Sequence, residues 1–148
     1  MTLADQEHPA YPPRTTYLVK QLELAIRAGM DTITGEFGVT ALQYTALSVL
    51  ARHPGLSAAQ MARRSFVSAQ AGNEMVGILK RKGLITRTPD AGNRHIKRIS
   101  LTPAGYSVLS QCDESIDQLE TKMLDAVAPA DVEVLRKALA ACVQSLAG

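Results

Sequence analysis

Aromatic residues make up only 4% of the 148-residue sequence, and tryptophan is absent. A core must therefore come mostly from Ala, Leu, Val and Ile, and the abundance of alanine favours helix over sheet. Two cysteines are too few for a disulfide framework. No apolar run approaches the ~18–20 residues that cross a bilayer, and no charged-then-apolar signal region opens the sequence. The expectation is a cytoplasmic protein without membrane contact. His8, His53 and His95 are scattered, and no Cys/His pair has metal-ligand spacing, so neither a metal nor a cofactor is expected. A phosphate-cradling glycine loop and a His-centred nucleophile arrangement are also missing, which argues against an enzyme.

What the chain has instead is segregated charge. Its formal net charge is +2. From Arg63 to Arg98, nine Lys/Arg (63, 64, 80, 81, 82, 87, 94, 97 and 98) stand against Glu74 and Asp90, a local +7. The remainder sums to −5, and from Pro103 onward three basic residues face seven acidic ones. Such asymmetry fits a nucleic-acid face, with a merely solvated basic surface as the alternative. The length fits one domain with room for an oligomerisation element.

Residues 1–14 carry three prolines and no apolar period, and read as a loose arm. From Thr15 to Phe37, Leu18, Leu22, Ile26, Met30, Ile33 and Phe37 recur every three or four positions. That spacing predicts one long amphipathic helix with Gly38 as C-cap. Thr40 with Gln43, and Ser57 with Gln60, have capping-box spacing. The first pair opens a helix with Leu42, Ala46, Leu47 and Leu50 on one face, stopped at His53-Pro54-Gly55. The second opens a short helix that turns Met61 and Ala62 inward. After a bend at Phe66-Val67, Ser68 is the predicted N-cap of a helix to Lys82, held by Met75, Ile78 and Leu79 and closed by Gly83.

These helices, the last two split by a tight turn, have the dimensions of a helix-turn-helix. "LITRT" and "HIKRISL" alternate as strands around the turn sequence "PDAGNR", which predicts a hairpin, or wing. Thr102 then caps a helix with Pro103 at its first position. Leu109, Cys112, Ile116, Leu119 and Met123 alternate steps of three and four, as do Val132, Leu135, Leu139, Cys142 and Leu146. Such seams want a partner helix. The predicted fold is mainly α with a small β-hairpin wing, in the order α-α-α-α-β-β-α-α.

"VTALQYTALSVLARHPGLSAAQMARR", "GILKRKGLITRTPD" and "RISLTPAG", in this order and spacing, resemble the MarR (multiple antibiotic resistance regulator) family of winged-helix repressors. The resemblance covers about residues 15–127. It implies a winged helix-turn-helix DNA-binding lobe at 39–102 and dimerisation helices at 15–38 and 103–148. It also implies a homodimeric regulator of transcription on a pseudo-palindromic double-stranded DNA operator. Two other roles are open to the fold: a protein-interaction module, and a thiol-based redox-sensing repressor. The +7 segment and the polar start of the fourth helix speak against the first. Against the second, no cysteine precedes Cys112, and Cys112 and Cys142 both fall on apolar seams expected to be inert.

On this resemblance Ser68, Gln70, Ala71 and Asn73, in the first turns of the recognition helix, are the expected base contacts. Gln and Asn can bond an adenine edge, and Ala71 can approach a thymine methyl. Arg63 and Arg64 are expected phosphate contacts; Lys80, Arg81 and Lys82 suit either that role or a solvated face that favours the helix dipole. Arg94 matches the arginine that enters the minor groove in relatives, with Lys97 and Arg98 on the adjoining strand, one of them facing DNA. The tip departs from the family's Asp-x-Arg-Arg pattern: Asn93 replaces the acid that braces the wing, and His95 the second arginine. Gly72 and Glu74 stand where relatives carry an apolar residue and an arginine. Gly72 and Gly77 are each expected to cost the helix about 1 kcal/mol relative to alanine and to loosen it.

Relatives are often released from DNA by small aromatic acids. Tyr17, Lys20, Leu24, Arg27, Tyr44, Arg52 and Tyr106 are the candidates for lining such a pocket, each with the alternative of an ordinary packed or solvated side chain.

Overall fold

Caps and turns written in the sequence set the element boundaries. The structure, a computed structural model, describes residues 10–148; residues 1–9 of the expected arm, His8 included, lie outside the described residues. Helix α1 spans Thr15–Glu36 and stops where Gly38 takes φ +75°. Thr40 Oγ1 accepts from Gln43 N while Gln43 Oε1 accepts from Thr40 N, both at 3.1 Å, and α2 follows over Ala41–Arg52. Ser57 and Gln60 repeat the reciprocal pair at 3.2 and 3.0 Å, starting α3, Ala58–Arg64. Ser68 Oγ accepts from Ala71 N to start α4, Ala69–Arg81, and Gly83 at φ +72° closes it.

Strands β1 (Ile85–Pro89) and β2 (Lys97–Leu101) pair antiparallel, with Ile85 opposite Leu101 and Arg87 opposite Ile99. A bridge from Leu56 to Ile99 adds the α2–α3 loop to this ribbon. Thr102 Oγ1 caps α5 (Pro103–Leu124) by accepting from Gly105 N, and α6 runs over Pro129–Ala147. The element order is the one the sequence predicts.

The chain divides into two compact units, one ending at Cys112 and one from Asp113 to Gly148. In the first, Leu47 and Leu50 of α2, Met61 of α3, Val76 and Leu79 of α4, and Ile99 of β2 are among the fully buried side chains, as is Cys112 of α5. On α4 the buried face is Gly72, Met75, Val76 and Leu79, so Val76 takes the place expected of Ile78, which is half-buried. On α2, Val49 is buried while Leu42, in the first turn, stays 54% exposed. Neighbours α1, α3 and β2 all pack on α2. That widens its covered sector beyond the single stripe from which Leu42 was expected to face inward.

Two glycines hold close approaches. A Cβ on Gly72 would stand 2.5 Å from Ala62 Cβ, so the α3–α4 crossing depends on its absence. Gly72 is a packing residue rather than a source of looseness; Gly77 meets no such neighbour, and nothing in the structure explains it. A Cβ on Gly105 would stand 2.2 Å from the Leu84 carbonyl oxygen, which itself accepts from Thr102 N at 3.0 Å. The second unit holds the end of α5 and α6. No residue of α6 is buried, and Cys142, expected in an apolar seam, is exposed. The cover that its seam asks for is not supplied within the described chain.

Candidate nucleic-acid interface

Helix α4 presents the residues the sequence points to, with one exception. Ser68, Gln70, Asn73 and Glu74 are exposed along the start of α4, whereas Ala71 is half-buried. Gln70 and Asn73 are exposed, and each amide carries the donor and acceptor that a bidentate contact to adenine requires. Arg63, just before the turn, is exposed and its side chain makes no hydrogen bond or ion pair among the described residues. Arg64 Nη1 lies 3.2 Å from His53 Nε2, within hydrogen-bond reach.

The α3–α4 turn itself carries two features that periodicity does not show. Ser65 Oγ is buried with no hydrogen-bond partner among the described residues. Phe66, next to it, has φ +62° and is 92% exposed.

The wing tip is closed by its own polar groups. Asp90 N donates to Ile96 O at 2.8 Å, and Ile96 N to Asn93 O at 3.0 Å. Asp90 Oδ2 accepts from Gly92 N and Asn93 N at 3.1 and 3.0 Å, and Asn93 Oδ1 accepts from His95 N at 3.0 Å. Arg98 Nε donates to Asp90 Oδ1, and the same guanidinium donates to the Gly55 carbonyl at 2.9 Å. The hydrogen bond from Arg98 holds the Asp90 carboxyl below its usual range, helped by the arginine's charge and the Gly92 and Asn93 amides, with desolvation opposing.

A bracing acid is therefore present after all. It is Asp90, three residues before the position where Asn93 stands. Its residue type and spacing from Arg98 were visible in the sequence, but the cross-loop contact needed the turn's geometry. Arg98, expected as a possible DNA contact, is held by this brace. Arg94 and Lys97 are exposed and unpaired among the described residues.

At the other end of α4, Lys82 Nζ donates to the Gly38 carbonyl and, at 3.3 Å, to Gln43 Oε1. It ties the ends of α1 and α4 together, while Lys80 and Arg81 stay solvated.

The seven ligand candidates lie on α1, α2 and α5, and only Tyr44 among them is half-buried; the rest are exposed. They form no enclosed wall in the single chain. Lys20 and Arg27 both reach Glu23, the lysine at 3.1 Å, and the Lys20 hydrogen bond leads the effects that lower the Glu23 carboxyl's pKa. The two α1 cations best suited to a carboxylate ligand are thus already engaged. Spacings of three and four residues made this pairing readable in advance.

Comparison with known proteins places this geometry. Residues 37–94 match the sequence profile of the MarR family. The HTH-type transcriptional repressor Rv2887 of Mycobacterium tuberculosis is 23% identical over 108 residues, 73% of this chain and 78% of that protein. Its structure in complex with salicylic acid superposes with a TM-score of 0.72, covering 90% of this chain and 98% of that one at 20% identity. MepR, a transcription regulator of the Staphylococcus aureus multidrug efflux pump MepA, gives a TM-score of 0.76 at 23% identity, over 90% of this chain and 99% of its own. The transcriptional repressor CouR, bound to a 23-mer DNA duplex, gives 0.76 at 20% identity, over 91% and 93%. The helix-turn-helix and hairpin wing fall within or beside the matched residues, so this segment resembles the MarR family and the chain has the fold of its winged-helix members.

Proposed function

We propose that the chain is a homodimeric repressor. It sets the first turns of α4 in the major groove of a pseudo-palindromic operator and Arg94 in the adjoining minor groove, and a small aromatic acid releases it. The observation that carries this reading is the wing tip: an arginine unpaired among the described residues stands on a turn braced by the Asp90 carboxylate and the Asn93 amide oxygen. Narrow A·T-rich minor grooves concentrate negative potential, and an arginine on a pre-braced loop meets it with little left to order. Gln70 and Asn73 supply base contacts, and Ser68, Arg63 and Lys97 contact bases or backbone around them. Exposed Leu18, Leu22 and Ile26 on α1, and Val134, Val143 and Leu146 on α6, suit a second copy of the chain as cover. The DNA-bound CouR and the salicylate-bound Rv2887 support the two ligand classes.

DNA from upstream of the chain's own coding sequence should shift as one dimer complex and show two protected half-sites about 10 bp apart. Arg94→Ala should lower the slope of log affinity against log salt by about one counterion. Salicylate should release the complex. A single asymmetric footprint would rule out the dimer geometry, an unchanged slope would take the wing out of the mechanism, and indifference to aromatic acids would remove the ligand.

A further inference from the structure

The α3–α4 turn departs twice from what its own folding favours. Ser65 buries a hydroxyl without a partner among the described residues, and the next residue is a phenylalanine in the left-handed region. L-residues avoid that region, bulky ones most of all, and glycine would occupy it freely. The ring returns no packing for this, since it is 92% exposed. The turn's apolar anchor is the half-buried Val67 instead. A lone exposed apolar side chain needs no explanation, but one held in a disfavoured backbone conformation does.

Its place suggests the purpose. Arg63 and Arg64 precede it and Ser68 and Gln70 follow it, all exposed, so the ring stands amid positive and polar groups suited to a polyanion. In a helix-turn-helix the first helix crosses the phosphate backbone and the second enters the major groove. The turn that joins them stands at the groove rim. There an apolar ring meets the thymine C5-methyl, the apolar mark that the major groove displays among its donors and acceptors.

We propose that Phe66 is a DNA-reading residue whose ring packs on a thymine methyl at the major-groove rim and so helps to set the operator sequence. The inference rests on the DNA-binding reading above. The test measures binding of the wild type, Phe66→Gly and Phe66→Leu to the chain's upstream DNA, prepared once with thymine and once with uracil in its place.

Phe66→Gly should lose about five- to tenfold in affinity for thymine DNA, with an unchanged salt slope because no phosphate contact is removed. Its melting temperature should rise by about 2–4 °C as the backbone is relieved, which separates lost contact from lost folding. Phe66→Leu should keep part of the affinity. Uracil should weaken the wild type more than Phe66→Gly. If folded Phe66→Gly binds thymine DNA as the wild type does, the inference fails while the DNA-binding reading stands. If uracil weakens both proteins equally, the thymine-methyl contact is overturned. A wild type that binds neither DNA overturns both readings.

Discussion

Two turns flank the face that would meet DNA, and they are built on opposite principles. In the wing turn, from Asp90 to Ile96, one carboxylate accepts two backbone amides and an arginine, and that arginine reaches on to Gly55. The α3–α4 turn, three residues from Ser65 to Val67, leaves a hydroxyl unanswered and a phenylalanine in a backbone region that suits glycine. Polar bracing fixes a charged probe where the chain is free to move. The shorter turn has no such bracing; it is bounded by α3 and α4, which pass close to each other at Gly72 and Ala62. Rigidity has two sources here, hydrogen bonds in one turn and helix contact in the other.

The sharpest way to break the second source is Gly72→Val. Its new side chain meets Ala62, so unfolding in urea should show a loss of about 2–3 kcal/mol from overpacking. Ala62→Gly in the same chain should restore part of it; no recovery would mean that the strain lies elsewhere. A smaller effect of opposite sign is expected from Ser65→Ala, which removes the unanswered hydroxyl and should raise stability by about 1 kcal/mol. A loss of similar size would show that the hydroxyl has found a partner.

The smallest effect concerns the wing. Asp90's carboxyl is lowered by Arg98, so its contribution is complete above the ordinary carboxylate range and disappears as pH falls through the lower folded value. The Gly92 and Asn93 amide resonances should therefore hold their positions while free carboxylates protonate, and shift only at more acid pH. Titration at the ordinary value would mean that the brace is open in solution. Asp90→Asn should abolish that acid transition.

The frame was legible because it is local. Capping boxes at Thr40 and Ser57, the caps at Ser68 and Thr102, and the turn sequence of the wing each specify a boundary within four residues. Contacts between elements were less so. Gly72 reads as a helix weakness until Ala62 is seen against it; counted as a core position, it completes the spacing 72, 75, 76 and 79 and makes Val76 rather than Ile78 the inward residue. Arg98 looks like one more cation until the hairpin brings it to Asp90, eight positions away. Phe66 gives no periodic signal at all, because its significance lies in a backbone angle.

The base of the wing completes the mechanical picture. Thr102 N and Oγ1 donate to the Leu84 and Gly83 carbonyls, the hydroxyl at 2.6 Å, with Gly105 pressed over the same peptide. The ribbon is clamped at that end, and the Arg98 strut to Gly55 supports it farther out. In an engineer's terms it is a propped cantilever: deflection is confined to the overhang beyond the prop. That overhang holds little besides Gly92, Asn93, Arg94 and His95, and the Asp90 and Asn93 bonds stiffen its backbone in turn, so the Arg94 side chain is the part left to follow a groove of varying width.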